Sequence, residues 1–84
     1  MFFYVYVLQN KEGRRYVGST TDLVRRLKEH NAGQNIATKP HTPWEIIFYE
    51  AYRSREDGLR REKYLKTTQG RRSLKKMLEC FDNQ

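Results

Sequence analysis

The sequence predicts an α+β domain, with a β-hairpin and a third strand combined with about three helices. Three observations carry this. Residues 2 to 9 are almost all aromatic, β-branched or aliphatic, and residues 14 to 18 resume with Tyr16 and Val17 after Gly13. The run WEIIFYEAY, 44 to 52, is equally rich in strand formers. Between and after these runs, apolar residues recur at helical spacing.

In the hairpin, a three-residue loop Lys11-Glu12-Gly13, with Gly13 in the left-handed position, sets Asn10 opposite Arg14. Leu8 then faces Tyr16 and Tyr6 faces Gly18. Tyr4, Tyr6, Tyr16 and Gly18 share one face, and Phe3, Val5, Val7 and Val17 share the other. A four-residue loop would put Tyr6 and Tyr16 on opposite faces. Gly18 leaves open space beside Tyr6.

STTDLVRRLKEHNAG predicts a helix over about 21 to 32, with cap candidates Ser19, Thr20 and Thr21, an early acid at Asp22 and a stop at Gly33. Leu23 and Leu27 form its apolar stripe, and Arg26 and His30 fall on the border of that stripe. QNIATKPHTP, 34 to 43, reads as a surface loop. The continuous apolar centre of the third strand predicts an inner position, covered on both faces. A second helix is expected from Ser54 to about Lys66, with Glu62 between Leu59 and Leu65 in the middle of its apolar stripe. After TTQG, Leu74, Met77, Leu78 and Phe81 predict an amphipathic last helix.

The 84 residues are expected to form a single domain, 1–84, with a thin core, because a chain this short buries only about 60–65% of its unfolded surface. The opening MFFYVYVL reads as a strand and not a signal peptide, and no apolar run reaches the roughly 20 residues that cross a bilayer. The lone Cys80 allows no internal disulfide, so a reducing, cytoplasmic setting is expected.

Net charge is +7, and from Arg53 to Lys76 ten Lys or Arg stand against three acids, with seven of each elsewhere. Such segregation fits either a solvated helix face or a polyanion footprint. Nucleic acid is the expected polyanion, with Arg53, Arg60, Arg61, Lys63, Lys66, Arg71 and Arg72 as backbone contacts that position without reading bases.

Five polar residues fall at the edge of the predicted core: Tyr6, Tyr16, Arg26, His30 and Glu62. Singly, each also fits packing, a helix-end contact or a salt bridge, and Glu62 could pair with an arginine such as Arg26. Together they supply a base, a guanidinium for phosphate charge and a carboxylate for a divalent cation, as phosphodiester hydrolysis requires. Tyrosine needs help from a cation to act as a base, because its free pKa is about 10.

The order Tyr4-Val5-Tyr6, then Tyr16-Val17-Gly18, then DLVRRLKEH and LRREKYLK resembles the GIY-YIG nuclease domain, specifically its small stand-alone bacterial form, over residues 2 to 81. The resemblance implies a three-stranded antiparallel sheet flanked by helices, and a metal-dependent endonuclease using Mg2+ or Mn2+ on DNA. It implies Tyr6 as general base, Tyr16 holding phosphate or water, Arg26 stabilising the transition state, His30 moving or orienting a proton, and Glu62 as metal ligand. The first triplet here lacks the family's glycine, and Lys75 to Met77 lacks the asparagine of many larger members. The expected substrate is single-stranded or branched DNA in repair or processing, with specificity from substrate shape or a protein partner. A non-catalytic nucleic-acid-binding module that keeps the fold is the competing expectation.

Overall fold

The computed structural model describes all 84 residues, Met1–Gln84. Strands β1 (Phe3–Asn10) and β2 (Arg15–Thr20) form the hairpin, followed by helix α1 (Leu23–Asn31) and a short 3-10 turn (Lys39–His41). Strand β3 (Trp44–Tyr52) precedes helices α2 (Arg55–Leu65), α3 (Thr68–Met77) and the single turn α4 (Glu79–Asp82). The strand order is β2-β1-β3, antiparallel throughout.

Gly13 takes φ 83°, and its N–H bonds to the Asn10 carbonyl at 3.0 Å while the Asn10 N–H bonds to the Arg14 carbonyl at 3.1 Å. The Asn10 side chain caps the turn as well, accepting from the Arg14 N–H at 2.9 Å. Tyr6 therefore pairs with Gly18 and Leu8 with Tyr16, the register expected from a three-residue loop.

Because side chains alternate, the two faces build two cores. Val5 and Val7 pack against Leu65 of α2, Leu74 of α3 and Leu78 at its end, and Tyr6, Leu8 and Trp44 pack under α1 with Leu23 and Leu27. Full burial of Val5, Val7 and Leu8 follows from the central place of β1.

Four expectations are corrected. β3 is an edge strand, not an inner one, because β1 takes the centre and bonds to both neighbours. In β3 only Trp44 is fully buried. The cap of α1 is Asp22, whose carboxylate accepts from the Arg25 N–H at 3.0 Å, so Asp22 sits before the first turn rather than within it. Leu59 is 41% exposed and contributes no stripe. The buried face of α2 is instead Gly58 and Leu65, with Gly58 so close to Phe3 that a Cβ would come within 2.4 Å of its ring. The last helix begins at Thr68, capped by the Thr67 hydroxyl, so TTQG lies at its start, and it breaks after Met77 into α4. Met77 and Phe81 are exposed, leaving Leu74 and Leu78 to the core.

Candidate active site

Tyr6 lies across from Gly18 on the face beneath α1. A Cβ at position 18 would come within 2.4 Å of Tyr6 Oη and 2.6 Å of Cζ, so the missing side chain lets the phenol lie over β2, the edge strand. The ring is almost wholly buried, and its hydroxyl is 2.7 Å from His30 Nε2.

His30 is not on a margin; it has no exposed surface. Its Nδ1 is 2.8 Å from Thr38 Oγ1, and Thr38 is itself fully buried within the 34–43 loop. Thr38 Oγ1 donates to the Asn35 carbonyl at 3.5 Å, and Trp44 Nε1 donates to the Thr38 carbonyl at 2.9 Å. With Thr38 donating to Asn35, the chain is satisfied when His30 Nδ1 donates to Thr38 and Nε2 accepts from the Tyr6 hydroxyl. The loop thus holds the imidazole from behind.

Tyr16 meets the imidazole ring edge-on, with centroids 5.3 Å apart, as does Tyr6 at 5.8 Å. Arg26, one turn before His30 on α1, is half-buried and donates through Nη1 to Glu29 Oε1 at 2.9 Å. That bond, followed by the neighbouring Tyr6 hydroxyl, holds its pKa above the ordinary value against the effect of burial.

Burial pushes the Tyr6 phenol up to about 12. The Arg26 guanidinium beside it pulls the other way, and Tyr16 and Glu62 add smaller upward pushes. Burial, then the Arg26 charge, lowers the pKa of His30. Its imidazole is therefore neutral at physiological pH and able to accept a proton at Nε2.

Glu62 approaches from the other side of the sheet. Ser19, on the face of Val17, donates from Oγ to Glu62 Oε1 at 2.6 Å, and Lys66 Nζ donates to Oε2 at 3.0 Å. Lys66 also lies 5.7 Å from the centre of the Tyr16 ring, so it reaches around the edge of β2 and links the two sides. Gly18 is the neighbour of Ser19, which brings the Tyr6 phenol and the Glu62 carboxylate to the same short stretch of edge strand.

No three His, Cys, Asp or Glu side chains gather around a metal position. A divalent cation would rest on Glu62 as its one protein carboxylate, a donor set that fits Mg2+, which keeps several waters and takes phosphate oxygens from a substrate.

The basic residues divide. Arg61 is half-buried and bidentate to Glu50, at 3.0 and 3.2 Å, and Arg60 pairs with Asp57 at 2.6 Å. Arg53, Lys63, Arg71 and Arg72 are exposed. An open cleft of ≈ 1070 Å³ runs beside β2, lined by Arg14, Arg15, Lys66, Arg71 and Lys75 together with Tyr16 and with Asp82, which is ion-paired to Arg15. Of the five candidate catalytic residues, Tyr16 alone lines this cleft. Counting charge only between positions 53 and 76 misses Arg14 and Arg15; the signal that finds them is their place just after the Gly13 turn, on an edge strand.

The antiparallel sheet with β2 exposed at one edge, and the tyrosine, imidazole and guanidinium set gathered on it, define a nuclease-type α+β fold. Residues 2–76 match the model of the GIY-YIG catalytic domain, and the chain belongs to that family. It is 36% identical over 67 residues to a UPF0213 protein of Haloquadratum walsbyi, covering 79% of this chain and 75% of that one. It is 34% identical over 77 residues to a UPF0213 protein of Staphylococcus haemolyticus, covering 90% and 94%. The solution NMR structure of the UPF0213 protein BH0048 from Bacillus halodurans has the same fold, with TM-score 0.57 and 32% identity over 92% of this chain and 85% of that one.

Proposed function

We propose that the protein is a metal-dependent endonuclease that hydrolyses phosphodiester bonds of DNA, selecting structure over sequence and serving DNA repair or processing. The observation that carries this reading is the buried hydrogen-bonded chain from Tyr6 through His30 to Thr38, set beside Arg26 and across the β2 edge from Glu62.

In this reading neutral His30 takes the Tyr6 phenolic proton at Nε2. The resulting phenolate takes a proton from a water as that water attacks phosphorus and the bond to the leaving oxygen breaks; the leaving oxygen takes a proton from solvent, and His30 gives up its own to restore the neutral pair. A phenol whose pKa stands at about 12 is a strong base once ionised, and Arg26, whose hydrogen bond and charge pull that pKa down against burial, is the group that favours the phenolate. Arg26 neutralises charge developing on the phosphoryl oxygens, and Tyr16 hydrogen-bonds the phosphate or the water. Glu62 would hold the Mg2+ or Mn2+, which when bound polarises the phosphoryl oxygen and stabilises the leaving oxygen. Phosphates flanking the scissile one would lie in the basic cleft beside β2, which Tyr16 borders.

A second reading, a module that binds nucleic acid without cutting it, draws support from Glu62, since each of its oxygens already accepts a hydrogen bond. Incubation of branched, nicked and single-stranded DNAs with Mg2+ or Mn2+ separates the two. Products that require the metal support the enzyme, and tight binding without products supports the module.

A further inference from the structure

The sheet face that carries Tyr6 is only half covered. Leu23 and Leu27 of α1 pack over Tyr6, Leu8, Trp44 and Ile46, towards the Asn10 end of β1. Towards the Phe3 end the same face leaves Tyr49 55% exposed and Phe2 45% exposed, with Tyr4 half-buried between them. These three rings form a continuous ladder, Phe2 to Tyr4 at 6.4 Å and Tyr4 to Tyr49 edge-on at 5.9 Å. Arg53 lays its guanidinium 5.6 Å from the Phe2 ring centre. Tyr4 pairs across the strands with Ala51, whose methyl leaves the ring uncovered.

The ladder begins beside Tyr6, because Tyr6 and Tyr49 are direct cross-strand partners whose Cβ atoms stand about 5 Å apart, while the Tyr6 ring itself leans the other way, over β2. It lies on the β3 side of Tyr6, whereas the basic cleft lies on the β2 side. An exposed row of rings ended by a guanidinium, on a chain of net charge +7, suits a ligand that combines flat π faces with negative charge.

We infer that Phe2, Tyr4, Tyr49 and Arg53 form a stacking subsite for one or two unpaired nucleobases next to the scissile phosphate. The inference rests on the nucleic-acid reading above and adds to it: the phosphates run through the cleft at β2 while the bases fold back over the sheet towards β3. Substrates whose bases near the cut are unpaired therefore bind better than closed duplex, which cannot present a base face to the rings.

The test compares two oligonucleotides of equal length and charge, one with all its bases and one with a central abasic stretch, by fluorescence anisotropy in chelator, where no cleavage occurs. Wild-type protein is expected to bind the base-bearing strand about tenfold more tightly, and Tyr49→Ala to remove that difference while leaving the abasic strand unaffected. Tyr49→Trp restores it, and because Tyr49 is exposed the variants are expected to retain the wild-type melting temperature. Equal affinity of wild type for both strands, or an equal loss on both in Tyr49→Ala, overturns the stacking subsite while the nucleic-acid reading stands. Binding of neither strand overturns both. Sedimentation showing a wild-type dimer that Tyr49→Ala dissociates assigns the rings to a second copy of the chain and also overturns the proposal.

Discussion

The phenol of Tyr6 occupies the volume that a side chain at position 18 would fill, with its hydroxyl 2.4 Å from where a Cβ would stand. Gly18→Ala must therefore expel the phenol and break its bond to His30, or shift β2. The expected result is a loss of about 1–3 kcal/mol of stability, the usual cost of overpacking, together with at least a tenfold fall in cleavage. Denaturant unfolding and initial rates measure the two. An alanine variant with unchanged rate would mean that the buried position of the phenol is irrelevant to chemistry.

Burial lowers the His30 pKa from its ordinary 6.5, which sets the direction of two pH effects. As pH falls through 6.5 the unfolded chain takes up a proton before the native state does, so stability is full above that value and declines below it. Cleavage declines in the same direction, because protonated His30 accepts nothing from Tyr6. His30→Gln is expected to flatten the acid limb of the unfolding curve, measured as urea midpoint against pH. A limb of the same depth in the variant assigns it to another group.

Two tyrosines, Tyr6 and Tyr52, have phenols pushed up to about 12, chiefly by burial. In an alkaline ultraviolet titration, Tyr6→Phe should delete part of the phenolate signal that appears near pH 12. Deletion of signal from the region near pH 10 instead would place the Tyr6 phenol in water.

Salt dependence separates the cleft from the rest of the basic surface. Arg71 lines the cleft and Arg72 does not. Arg71→Ala is expected to reduce the slope of log affinity against log salt by about 0.7–0.9, the value of one phosphate contact, with a smaller change for Arg72→Ala. Equal effects would mean that the strand lies across α3 as a whole.

The register of the hairpin was legible, though its strand ends fall one or two residues later than expected, because turn chemistry is local: Gly13 alone decides the loop length, and the loop length decides that Tyr6 meets Gly18. The third strand's bounds were legible from its run of strand formers, WEIIFYEAY, but its edge position was not. An apolar run reports burial against something without saying which strand lies beside it, and β1 has the stronger claim to the centre with Val5, Val7 and Leu8. The inner face of α2 was misread because its closest contact with β1 is made by Gly58, a residue with no hydrophobic signal to count. Thr38 was invisible for a further reason. A threonine in a proline-containing loop looks like surface until the fold brings it to His30 Nδ1. Tyr6, Tyr16, Arg26 and His30 gather on one face as their helix and strand spacings suggested, while Glu62 arrives across the edge through Ser19 and Lys66, contacts that no periodicity encodes.

Metal-dependent hydrolysis through Glu62 is tested most directly by single-turnover cleavage of a branched or single-stranded DNA in Mg2+ or Mn2+ by wild type and Glu62→Ala, with affinity measured on the same preparations. The expected outcome is metal-dependent products from wild type, none from Glu62→Ala, and affinities within a few-fold of each other. Cutting by Glu62→Ala at the wild-type rate, or no products from wild type with either metal on any branched, nicked or single-stranded DNA, would contradict it.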